Sequence, residues 1–143
     1  MKNIYTFVGD DGENIHIDSD ALRIWCEVTK PEIFLIPLKY ELLIDFERDN
    51  VISMERVYEL SMDIKKSLEP IIMVKDGTIA KNGYPNAMLV DGHHRYALHC
   101  FGGKQHIAGY FLEVEQWKPF QIHGIPDMTK EQLRAKPITK RNY

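Results

Sequence analysis

The apolar positions change period several times along the chain, and each change marks an element. "NIYTFV" (3–8) and "ENIHI" (13–17) alternate and flank "GDDG" (9–12), which predicts a β-hairpin. "DSDALRIWCEVTK" (18–30) opens with capping residues and sets Leu22, Trp25, Cys26 and Thr29 on one face, the spacing of a short helix. Pro31 separates it from "EIFLIPL" (32–38), an apolar run expected as a buried strand, with Pro37 near its end where a missing ladder donor does least harm. The next stretch is expected to be a linker. "SMERVYELSMDIKKSLEP" (53–70) predicts one long helix, with Ser53 as N-cap, Val57, Leu60, Ile64 and Leu68 inward and Pro70 as the stop.

"PIIMVKDG" (70–77) is expected as a buried strand closed by an Asp-Gly turn, and "AMLV" (87–90) as a second strand. Gly92 breaks that strand, a helix runs from His93 or His94 to Phe101, and Gly102 and Gly103 fit a left-handed C-terminal cap. "HIAGYFLEV" (106–114) is the next strand. "MTKEQLRA" (128–135) predicts a last helix, with Thr129 and Gln132 in a capping box. Helices and strands interleave in the manner of a mixed α/β (α+β) domain with a small sheet and flanking helices. Three regions are expected: an N-terminal hairpin and helix (1–30), a core (31–115) and a C-terminal extension with a basic tail (116–143).

Composition narrows the class. The 143 residues are 44% hydrophobic and 27% charged, a balance typical of one globular domain. No apolar run is long enough to cross a membrane, and the N-terminus lacks a signal-peptide core, so a cytoplasmic protein is expected. Cys26 and Cys100, the only cysteines, are expected to be free thiols. The net charge of −3 is uneven: residues 130–143 carry five basic residues against Glu131, which leaves −7 on the remainder. An acidic body is a poor platform for duplex DNA, so specific DNA binding is not expected. The tail could meet an anionic partner, or be a solvated terminus.

Chemistry concentrates in "MLVDGHHRYALHCFGG" (88–103). A strand that turns at glycine into a helix leaves backbone N–H groups at the first helical turn, which together with the helix dipole suit an anion, most naturally a phosphate. Gly92 removes the Cβ that would block close approach. His93, His94 and Arg95 can add donors, Arg95 from what is expected to be an exposed helix start. Asp91 would repel a bare phosphate; it suits a magnesium ion bridging phosphates, or a role in capping the helix and orienting His94. The plain alternative is turn chemistry with no ligand. A zinc site built from His93, His94, His99, Cys100 and His106 lacks any paired metal-ligand motif, and a structural His99 and core Cys100 are favoured over it. Cys100 lies at the C-terminal end of its helix, where the dipole opposes a thiolate.

The pieces "IPL", "MERVYELSMDIKKSLEPIIMVKDG", "AMLVDGHHRYALHCFGG" and "HIAGYFLEV", in that order, resemble the ParB/sulfiredoxin-like superfamily over about Phe34 to Val114. The resemblance implies a nucleotide phosphate seated on the glycine-histidine-arginine turn. Sulfiredoxins carry a catalytic cysteine where His93 stands, so sulfinic acid reduction is not expected. Partition-type ParB proteins carry Gly-Glu-Arg-Arg and continue into helix-turn-helix domains, for which the residues after Val114 are too few. The turn is most similar to that of free-serine kinases of the superfamily, with Asp-Gly-His-His-Arg. That likeness implies a general base on a glutamate, mapped to Glu41, with Glu32 the weaker candidate. It further implies a magnesium-dependent phosphotransferase or nucleotide phosphohydrolase using ATP or ADP, with CTP as a further option. In such an enzyme Gly92, His93, His94 and Arg95 would hold phosphates, His94 or Arg95 would stabilise charge on the transferred group, and Asp91 would orient or bind metal. The alternatives are a non-catalytic nucleotide- or nucleic-acid-binding regulatory module, or a ParB-like nuclease. His123, in "QIHGIP", could fold over the site or be an ordinary loop histidine.

Overall fold

The computed structural model describes residues 3–9 and 11–123, together with the backbone of 141–142. Two antiparallel strands, β1 (Ile4–Val8) and β2 (Asn14–Asp18), form the expected hairpin, with Ile4 opposite Asp18 and Val8 opposite Asn14. Asp18 then caps α1 (Ser19–Thr29), its side chain accepting from the Ala21 N–H at 3.0 Å. Leu22 and Cys26 are buried as the spacing requires, Trp25 only half so, and Thr29 is exposed. Next come β3 (Ile33–Pro37), α2 (Tyr40–Arg48), α3 (Met54–Ser61), α4 (Ile64–Ser67), β4 (Ile71–Ile79), β5 (Pro85–Asp91), α5 (His93–Phe101) and β6 (His106–Leu112). The chain goes on through α6 (Val114–Trp117), a 3-10 turn (Lys118–Phe120), β7 (Gln121–Ile122) and β8 (Arg141–Asn142). The expected helix over 128–135 and most of the basic tail lie outside the described residues.

The mixed α/β class is observed. One sheet has the order β1-β2-β7 and the other β3-β6-β4-β5-β8. The chain divides into two compact units. The first holds 1–31, 74–88 and 112–143, with a core that includes Tyr5, Phe7, Ile17, Leu22 and Trp117. In it the Trp117 Nε1–H donates to the Lys75 carbonyl at 2.6 Å and the ring meets Phe7 edge-on. The second unit holds 32–73 and 89–111. Its core comprises the inner ends of β4 and β5, with Ile71, Ile72, Leu89 and Val90, and the inward faces of α2, α3 and α5.

Four sequence expectations are corrected. The stretch after β3 is a helix rather than a linker: Leu42, Leu43 and Phe46 of α2 are buried at helical spacing. The helix expected over 53–70 is two helices, because the Asp63 side chain accepts from the Lys66 N–H at 3.1 Å and starts a new one. A short polar side chain that caps backbone competes with helix continuation. Ile64 and Leu68 are consequently exposed. Third, β3 is an edge strand beside β6, and of its residues only Ile36 is buried. Fourth, Asp76-Gly77 does not end β4. Gly77 takes a positive φ of 93°, the Asp76 Oδ1 accepts from the Thr78 N–H and hydroxyl, and the strand continues to Ile79. The turn into β5 lies at 80–84, closed by Ala80 N–H to the Tyr84 carbonyl at 2.8 Å.

Candidate functional site

The site is the junction of β5 and α5, all of it within the second unit. Gly92 sits there with φ 105° and ψ 26° as N-cap of α5, and no side chain caps the helix. Glycine is required twice over. The conformation is one that side chains with a Cβ rarely adopt, and a Cβ at position 92 would lie 2.5 Å from Ile71 Cγ2 and 2.9 Å from Arg95 Nη2. The backbone then enters the helix directly, with the Tyr96 N–H bonded to the Gly92 carbonyl at 2.8 Å. At the far end Gly103, not Gly102, takes the left-handed conformation, and the Lys104 and Gly103 N–H groups close a Schellman cap on His99 and Cys100.

Arg95 is not an exposed side chain. It is 12% exposed, and its Nη2 donates to Asp91 Oδ2 at 3.1 Å and to the Pro70 carbonyl at 3.2 Å. Nη1 lies 3.6 Å from Glu69 Oε2, while Nε is buried with no hydrogen-bond partner. The guanidinium therefore ties the end of β5 to the residues that lead into β4. Asp91 gives one oxygen to this clamp; its Oδ1 has no hydrogen-bond partner among the described residues.

The two histidines differ in setting. The His93 ring packs edge-on against Phe46 of α2, with centroids 5.0 Å apart. His94 Nε2 accepts from the Ser53 N–H at 3.2 Å. A backbone amide only donates, so His94 Nε2 carries a lone pair and the hydrogen of the neutral ring is on Nδ1. One turn on, the Tyr96 hydroxyl accepts from the Lys39 N–H at 2.7 Å, and the Tyr96 ring meets Phe46 edge-on. These contacts fasten α2 along α5. Glu41, in the first turn of α2, is exposed; Glu32 is exposed ahead of β3.

His99 Nε2 donates to the Ser67 carbonyl at 2.8 Å, a structural contact, and burial pushes the Cys100 thiol above its ordinary range. His106 opens β6 and is exposed, and His123 is exposed after β7. Among the described residues no group of three or more His, Cys, Asp or Glu side chains converges as a metal cage. Magnesium needs no such cage, because one or two carboxylates with substrate phosphates and water suffice, and Asp91 Oδ1 fits that requirement. Neither is any described helix long and apolar enough to cross a membrane.

Comparison with family models, with curated proteins and with solved structures finds no match to this chain.

The sequence pointed to the turn but not to its supports. Ser53 was legible only as an N-cap, yet its amide fixes the His94 tautomer. Glu69, Pro70 and Tyr96 carried no local signal of their part in the site, since each acts there through a partner more than twenty residues away. The apolar spacing of Leu42, Leu43 and Phe46 was the one available clue to the element that backs His93.

Proposed function

We propose that the protein binds the phosphates of a nucleotide at the start of α5 and is a ParB/sulfiredoxin-like phosphotransferase or nucleotide phosphohydrolase. The observation that carries this is Gly92: a left-handed glycine opens a nine-residue helix that no side chain caps. Phosphate oxygens accept from the first-turn backbone of Gly92, His93 and His94, aided by the helix dipole. His94, held with its hydrogen on Nδ1 by the Ser53 amide, is a hydrogen-bond donor to the developing charge and not a base through Nε2. Arg95 keeps Asp91 and Pro70 on Nη2, and Nη1 exchanges its long contact with half-exposed Glu69 for a phosphate oxygen. Asp91 would hold a magnesium ion together with the phosphates, and the ion would supply charge neutralisation. Glu41, on the helix fastened to α5 by Tyr96, accepts the proton of the attacking hydroxyl or water.

The test is calorimetric titration with ATP, ADP and CTP in magnesium, run beside a phosphate-release and product-chromatography assay. Saturable binding with turnover that Glu41→Gln abolishes and binding that Glu41→Gln spares is the expected result. Binding without turnover of any of the three would replace the enzyme with a non-catalytic nucleotide-binding module. Absence of binding would remove the phosphate site.

A further inference from the structure

The guanidinium of Arg95 lies against the turn into α5: a Cβ on Gly92 would stand 2.9 Å from its Nη2. Nη2 is engaged twice, by Asp91 Oδ2 at 3.1 Å and by the Pro70 carbonyl at 3.2 Å. Nη1, on the same guanidinium carbon, makes no hydrogen bond among the described residues. Its one contact there is Glu69 Oε2 at 3.6 Å, an ion pair too long to be a hydrogen bond. The two partners differ in freedom, since the Arg95 side chain is 12% exposed and that of Glu69 49%. The Glu69 backbone is fixed on both sides. Its N–H donates to the Lys66 carbonyl at 3.2 Å, and the next residue is the proline whose carbonyl Arg95 grips. Beyond that base the glutamate stem has several rotatable bonds, so the carboxylate can swing into water while the backbone stays in place.

Asp91 is therefore the fixed partner of Arg95 and Glu69 the exchangeable one. Two carboxylates against one guanidinium leave a net charge of −1 on the cluster. A phosphate approaching the first turn of α5 meets that repulsion until Glu69 turns away, and then finds Nη1 open to one of its oxygens. We infer that Glu69 is an internal competitor for the anion site: its carboxylate occupies the outward nitrogen of Arg95 and restricts which anions enter. A diphosphate carried with magnesium displaces it best, because the ligand brings more charge to Arg95 and the cation offsets both carboxylates. A lone inorganic phosphate is held back. This inference rests on the phosphate reading above and adds the residue that limits access to that site.

Calorimetric titration of the full chain with ADP in magnesium, and separately with inorganic phosphate, tests it on the wild type, Glu69→Gln and Glu69→Asp. An ion pair this exposed holds its partners by a factor of about five or less, and loss of the like charge beside the ligand adds to that. Glu69→Gln should therefore bind ADP about three- to tenfold more tightly, and inorganic phosphate by at least the same factor, with an unchanged circular dichroism spectrum. Glu69→Asp keeps the charge on a stem too short for the contact and should bind ADP about twofold more tightly than the wild type. Glu69→Gln binding no more tightly than the wild type would overturn the competitor and leave the phosphate site standing. A gain in Glu69→Gln with Glu69→Asp equal to the wild type would trace the effect to general charge and overturn the contact. Binding seen only once Glu69 is replaced would support the competitor in its strongest form. No binding by any of the three chains would remove the site and its competitor together.

Discussion

Replacing Arg95 with alanine should cost the protein about 2–3 kcal/mol of stability, a figure set by the bonds its guanidinium makes. Nη2 makes two hydrogen bonds, to the Asp91 carboxylate at 3.1 Å and the Pro70 carbonyl at 3.2 Å. Bonds to charged groups contribute about 1.5–3 kcal/mol each when well buried. Two effects reduce the sum. Asp91 is 28% exposed and regains water once the arginine is gone, and removing the buried, unpaired Nε relieves a cost of about 1 kcal/mol. The contact to half-exposed Glu69 adds roughly 0–1 kcal/mol. Against a total stability of about 5–15 kcal/mol the variant still folds. Urea unfolding is the assay: with a slope of about 1–3 kcal/mol per molar, the midpoint should fall by about 1–2 M at unchanged slope. Arg95→Lys should lose roughly half as much, because the lysine stem ends short of the Nη2 position and its ammonium keeps only part of these contacts. A midpoint for Arg95→Ala within about 0.3 M of wild type would refute the clamp, since a shift that small is near the error of the extrapolation.

Further outcomes follow from other parts of the chain. Gly92→Ala combines a positive φ with a Cβ 2.5 Å from Ile71 Cγ2, and should cost about 2–4 kcal/mol in the same unfolding assay; a loss under about 1 kcal/mol would contradict the backbone geometry. His16, bonded to the Thr6 hydroxyl through Nδ1, has its pKa lowered by burial from 6.5. The unfolded chain therefore takes up this proton first, so its contribution to stability is present above pH 6.5 and is lost as pH falls towards the folded value. His16→Gln should flatten that part of the urea-midpoint profile, and a profile identical to wild type would count against it. Trp117→Phe removes the indole bond to the Lys75 carbonyl and should cost about 1–2 kcal/mol, checked by thermal unfolding, where an unchanged midpoint would refute the contact. Duplex DNA binding should be weak, salt-sensitive and lost on deleting residues after Arg134, and sequence-specific, salt-tolerant retention in a filter assay would contradict the charge argument.

Much of the fold was legible because it is local. The β1–β2 hairpin, α1 with its Asp18 cap, and the β5-Gly92-α5 junction follow from alternation, caps and a glycine at the point of period change. The helix α2 was hidden because Lys39, its N-cap, offers no side-chain cap, and its start is held by the distant Tyr96 hydroxyl. The apolar content of β3 suggested burial, but an edge position beside β6 leaves most of it exposed. Asp76-Gly77 and Asn82-Gly83 are both turn dipeptides; the second makes the turn, while the first is absorbed into β4 by the Asp76–Thr78 bonds. At the site, the turn of Asp91 to Arg95 from strand through Gly92 into helix could be read from the sequence. What Arg95 spends its guanidinium on could not, because Pro70 and Glu69 reach it only through the tertiary fold.

Backbone amide chemical shifts of the full chain, recorded by heteronuclear NMR while ADP or ATP is added in magnesium, test the phosphate site most directly. Saturable shifts should be largest at the amides of Gly92, His93, His94 and Arg95. They should extend to the Ser53 amide that bonds His94, and inorganic phosphate at high concentration should reproduce them weakly. No saturable shift at these amides with any of ATP, ADP or CTP, or shifts centred on a different part of the chain, would contradict a phosphate-binding turn at the start of α5.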